Sequence, residues 1–70
     1  PATAGNYSVR LDDGSIAVTV SGWHKGRLTP AGIMRVDLEG KGLTPGKPSA
    51  ETALHLAIYR MFPDTGAVLH

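Results

Sequence analysis

Residues Asn6 to Leu11 alternate polar and apolar, with Tyr7, Val9 and Leu11 on one side, which is the period-two pattern of a strand. Asp12-Asp13-Gly14-Ser15 follows, and Asp-Gly favours a tight turn. Ile16 to Val20 is β-branched and apolar, so a second strand should pair back on the first as a hairpin, ending at Ser21-Gly22. Trp23 to Leu28 reads as a polar, basic loop. Thr29-Pro30 has the form of an N-cap followed by proline at the first helical position, so a short helical turn is expected there. Ile33 to Leu38 predicts a third strand, Glu39 to Gly42 a turn, and Leu43 to Pro48 a loop rich in Pro and Gly. Ser49 to Phe62 predicts the one convincing helix, with Ser49 placed to cap it. Leu54, Ala57, Ile58 and Met61 recur at helical spacing and predict its buried stripe; Glu51, His55 and Tyr59, four apart, predict a polar one. Pro63 to Gly66 breaks the helix, and Ala67-Val68-Leu69 begins a further strand before His70.

Composition narrows this picture. Seventy residues allow one small domain, and the absence of cysteine excludes a disulfide framework and a thiolate metal site. Seven Lys and Arg against six Asp and Glu leave a net charge of +1, and the cations are scattered singly. Neither nucleic acid nor an anionic membrane finds the clustered patch it needs. No apolar run approaches membrane-spanning length. One helix and a few strands leave one face of the expected sheet uncovered, so the chain reads as a piece, or the ordered part, of a larger α/β subunit.

The candidate chemistry lies at element ends. Asn6 precedes a strand, Ser21-Gly22 follows one, and Ser49 opens the helix. Singly, each is a turn or cap residue. Together they offer hydroxyls, an amide and backbone N–H groups suited to a phosphate, to which a helix N-terminus adds its dipole. Glu51, beside Ser49, either complements that dipole or is a carboxylate held near phosphate and metal, able to take a proton from carbon. His55, four residues on, can meet Glu51 as a structural partner. His70 is either a packed strand-end histidine or, as the first of a close histidine pair, a metal ligand. His24-Lys25 is either solvated or reaches a substrate anion, and Trp23 is packing.

The order of "TAGN-S-R", "TVSG-HKG-L", "PSAET-LH" and "GAVLH" resembles the class II aldolase (fuculose-phosphate-aldolase-like) family, in which the last segment continues into His-x-His. The resemblance covers nearly the whole chain. It implies a three-layer α/β/α sandwich with a mainly antiparallel sheet, of which residues 1–70 form a part lacking the N-terminal helices and the C-terminal half. It implies a cytoplasmic homotetramer acting on a sugar phosphate with Zn2+. Asn6, Ser21, Gly22 and Ser49 match phosphate-site positions, Glu51 the acid/base glutamate, and His70 the first histidine of the zinc pair. "PATAGNYSVRL", "SGWHKGRL" and "KPSAETALH" favour the dehydratases of methionine salvage over the aldolases and epimerases. A non-catalytic scaffold is the alternative from another class. The chemistry implied is metal stabilisation of an enediolate after loss of a proton beside a ketone, then departure of a hydroxyl as water.

Overall fold

The computed structural model describes residues 6–20 and 32–70. Four antiparallel strands make one sheet, with β1 Tyr7–Arg10, β2 Ile16–Thr19, β3 Ile33–Val36 and β4 Ala67–Leu69 in the order β3-β2-β1-β4. Helix α1, Thr52–Met61, lies between β3 and β4 in sequence and covers one face of the sheet. The antiparallel sheet and helix layer are those expected of a part of the sandwich.

The hairpin turn forms as the sequence requires. Gly14 adopts φ +87°, which glycine accepts without strain, and its N–H donates to the Leu11 carbonyl at 3.0 Å. The Asp13 carboxylate accepts from both the hydroxyl and the N–H of Ser15, and these bonds, with Arg35 nearby, hold its pKa below the usual carboxylate range. β3 stops at Val36 rather than Leu38, because the Asp37 carboxylate accepts from the N–H groups of Glu39 and Lys41 and turns the chain. Thr29-Pro30 and the Trp23–Leu28 loop lie outside the described residues.

The core is Ile16 and Val18 of β2, Met34 and Val36 of β3, and Leu56 and Tyr59 of α1. The loop before the helix closes over it, and Val20 pairs with Pro48 in an isolated bridge. Gly46 in that loop has φ +137°, and a Cβ there would lie 3.2 Å from both Met34 Sδ and Val20 Cγ1. Conformation and crowding both oppose a side chain. Gly46→Ala is therefore expected to destabilise the full-length protein by more than about 1 kcal/mol. Chemical denaturation checks this; unchanged stability would contradict the packing described.

Two expectations for the helix are corrected. It starts at Thr52, not Ser49, and its N-cap is Glu51, with no side-chain cap bond. Ser49 does not cap it, because its backbone is tied elsewhere: its N–H faces the Thr19 carbonyl at 3.4 Å and its carbonyl accepts from Thr52 N–H at 3.0 Å. The buried stripe is also the other one. Thr52, His55, Leu56 and Tyr59 are buried, whereas Leu54 and Met61 are exposed. The partner strand explains the inversion. β1 turns Ser8 and Arg10 toward the helix and Tyr7 and Val9 away, so a polar strand face meets the polar helix stripe.

Contacts show α1 running parallel to β1: Glu51 meets Asn6, His55 meets Ser8, and the Tyr59 carbonyl meets Arg10. Two strand residues advance about 6.6–6.8 Å and four helical residues about 6.0 Å, so the two series stay in step. Arg10 ends the ladder, donating to the carbonyls of Tyr59 and Thr65 at 3.0 Å each, with its guanidinium 4.9 Å from the Tyr59 ring centre. The opposite sheet face, with Tyr7, Val9, Ile33 and Leu69, is exposed.

Candidate functional site

Three of the residues singled out from sequence meet at the first rung of this ladder. Asn6 and His70 pair as an extension of the β1–β4 register: Asn6 N–H donates to the His70 carbonyl at 2.6 Å and His70 N–H returns to the Asn6 carbonyl at 2.8 Å. The Asn6 side-chain amide donates to Glu51 Oε1. His70 Nδ1 lies 3.4 Å from the same oxygen. Residues 45 and 64 positions after Asn6 thus share one corner, where the sheet end meets the helix start. Glu51 and His70 are about half exposed there, open to a ligand.

Ser49 sits two residues before Glu51, beside the end of β2. Ser21 and Gly22 lie outside the described residues, as do Trp23, His24 and Lys25. The Asn6 amide carries two hydrogens; one is committed to Glu51 and the other remains for a second acceptor.

Behind the corner is a buried polar group that the sequence reading missed. Ser8 Oγ lies 2.6 Å from His55 Nδ1 and 2.8 Å from the Tyr59 hydroxyl. The sequence marks His55 and Tyr59 as a stripe and carries Ser8 in the "TAGN-S-R" segment and in the alternation of Asn6, Ser8 and Arg10 on one side of β1, with no role attached to it. Burial lowers the basicity of the His55 imidazole, the nearby charge of His70 lowers it further, and Glu51 opposes.

Among the described residues no three His, Asp or Glu side chains gather as a metal-binding group. The corner therefore holds a partial donor set: one imidazole and one carboxylate, both donor types that zinc accepts. With His70 Nδ1 beside a carboxylate, Nε2 is the ring nitrogen left available to a ligand, a division common in metal sites.

Residues 1–70 match the family described as Class II Aldolase and Adducin N-terminal domain. The chain belongs to this family. It is 63% identical over 70 residues to methylthioribulose-1-phosphate dehydratase of Methylococcus capsulatus, covering all of this chain and 34% of that protein. Among solved structures it resembles YgbL of Escherichia coli, described as an aldolase/epimerase/decarboxylase, with a TM-score of 0.91 at 40% identity, over all of this chain and 34% of the other. L-fuculose 1-phosphate aldolase matches with a TM-score of 0.86 at 30% identity, over 97% of this chain and 33% of that one. The class II aldolase-like chain thus spans about a third of the length of the curated relatives. Among the described residues, no helix is long and apolar enough to cross a membrane.

Proposed function

We propose that the full-length protein dehydrates methylthioribulose 1-phosphate to the 2,3-diketo-5-methylthiopentyl 1-phosphate, with Zn2+ as cofactor, in methionine salvage. The observation that carries this reading is the meeting of Asn6, Glu51 and His70 at one corner of a chain 63% identical to such a dehydratase. His70 would hold the metal, with Glu51 beside it. When bound, the metal supplies Lewis-acid polarisation of the substrate carbonyl. Glu51 accepts the proton from the carbon next to that carbonyl, and Asn6 fixes the carboxylate oxygen that faces His70. The electron pair left on carbon expels the hydroxyl of the following carbon, which takes a proton and departs as water. The acid that protonates it lies outside the residues assigned here.

Asn6, Ser21, Gly22 and Ser49 are proposed to bind the phosphate, anchoring the carbon chain so that the reacting carbons sit at Glu51. Ser49→Ala is expected to raise KM for substrate and to weaken inhibition by inorganic phosphate in parallel. A KM change with phosphate inhibition untouched would remove Ser49 from the phosphate site. We further propose a cytoplasmic homotetramer. The likeness to L-fuculose 1-phosphate aldolase favours aldol cleavage as the second reading, since both reactions pass through a stabilised carbanion beside a carbonyl, formed by loss of a proton in one and by breaking a carbon–carbon bond in the other. Product analysis of the full-length, zinc-loaded protein with methylthioribulose 1-phosphate separates them. Loss of one water with the carbon skeleton intact supports the dehydratase; two shorter carbonyl products support the aldolase; no conversion supports a scaffold.

A further inference from the structure

We propose that Thr19 is a positioning residue that seats Ser49 and Glu51 beside Asn6; the inference rests on the functional reading above, in which Ser49 meets the phosphate and Asn6 holds the base. The β1–β2 register pairs Val9 with Ala17 and Ser8 with Val18, which places Tyr7 opposite Thr19. Asn6 and Val20 direct their N–H groups outward, to His70 at 2.6 Å and to Gly32 at 2.9 Å, so Tyr7 and Thr19 turn their backbone groups toward each other. A regular ladder would have the Tyr7 N–H donate to the Thr19 carbonyl. It donates to the Thr19 hydroxyl instead, at 3.4 Å. The carbonyl is left to Ser49, whose N–H faces it at 3.4 Å. Thr19 thus splits one rung in two. Its side chain serves β1, and its main chain serves the segment that leads into α1. The bridge between Val20 and Pro48 belongs to the same wedge.

The split reaches the corner from both sides. Asn6 directly precedes Tyr7, and its side-chain amide donates to Glu51 Oε1. The Ser49 carbonyl accepts from the Thr52 N–H at 3.0 Å, which fixes the turn that carries Glu51. One threonine therefore spaces Asn6 on the strand from Ser49 and Glu51 at the helix start. Thr19 is 3% exposed, which keeps water from replacing its hydroxyl. Both of its contacts are long for N–H···O bonds, so the balance between them, more than the strength of either, sets the spacing. Without the hydroxyl, the Tyr7 N–H competes for the Thr19 carbonyl, and closing the ladder draws β1 into the place of Ser49. Valine makes the direct comparison, because it keeps the branched shape of threonine and loses only the hydroxyl.

The test uses the full-length, metal-loaded enzyme. Thr19→Val is expected to lower kcat by about tenfold or more, since a displacement of about 1 Å at the reacting centre can cost about 10²-fold. The same variant should weaken binding of inorganic phosphate, read by calorimetry. Thr19→Ser keeps the hydroxyl and should recover most of both losses. Wild-type kcat and phosphate affinity in Thr19→Val would overturn the proposal, as would equal losses in the two variants; a fall in melting temperature alone would leave Thr19 a packing residue and overturn it too. Should Thr19→Val fail to fold, amide hydrogen exchange in the wild-type protein decides: protection of both Tyr7 and Ser49 supports the split rung, and a Ser49 amide that exchanges like an unbonded loop amide overturns it. If the wild-type protein does not turn over methylthioribulose 1-phosphate, the functional reading fails, while the phosphate-binding and exchange results still judge Thr19.

Discussion

Glu51→Gln in the full-length enzyme is expected to lower turnover by about 10²-fold or more while leaving the fold and bound zinc intact, the effect of losing a general base. The substitution suits the question because glutamine keeps a side-chain carbonyl oxygen. Asn6 can still donate to it as it donates to Glu51 Oε1, so the corner holds its shape while the group that takes the proton is gone. The competing view is that Glu51 only complements the helix dipole. Its place at the N-cap without a side-chain cap bond limits that role. Such a role would cost about 0.3–1 kcal/mol of stability and little rate. Steady-state kinetics beside thermal melting separate the two: turnover within a few-fold of wild type would move the base elsewhere in the protein.

His70→Ala is expected to abolish stoichiometric zinc and to reduce activity by more than the roughly 10–100-fold that follows loss of a metal site's outer partners. The histidine stands immediately after β4, its backbone bonded on both sides to Asn6, so the imidazole is carried by the sheet rather than by a loose end. Truncation to alanine leaves those backbone bonds in place. Metal content by elemental analysis, taken with the circular dichroism spectrum, distinguishes lost ligation from lost folding. A variant that keeps full zinc and full activity would show that His70 is only a packed strand-end residue.

Much of the local structure was legible. The Asp12–Ser15 turn, the two strands it joins, β3 and the break at Pro63 follow from residue types whose conformational preferences are strong. The burial of the helix was not legible. Leu54, Ala57, Ile58 and Met61 share helical spacing, but so do Thr52, His55, Leu56 and Tyr59, and hydropathy alone selects the former. The choice belongs to β1, whose Ser8 hydroxyl meets the side chains of His55 and Tyr59, contacts that an aliphatic stripe could not make. Buried polar groups must be paired, and this pairing exists only once strand and helix are in register. The same register explains the site. Asn6, Glu51 and His70 were nameable because they lie in motifs that resemble a family, while their contact depends on strand pairing that no local spacing encodes. Ser8 lies within the "TAGN-S-R" segment, but nothing gives it a role until its hydroxyl is seen against His55.

The central claim is that this corner is where metal and substrate meet. Anomalous diffraction at the zinc edge, on crystals of the full-length enzyme holding zinc and an unreactive substrate analogue, tests it most directly. The expected result is zinc on His70 Nε2 at about 2.0–2.1 Å, with the Glu51 carboxylate beside the reacting carbons and the phosphate against Ser49. Zinc bound away from His70, or an analogue whose carbonyl lies out of reach of Glu51, would contradict the account.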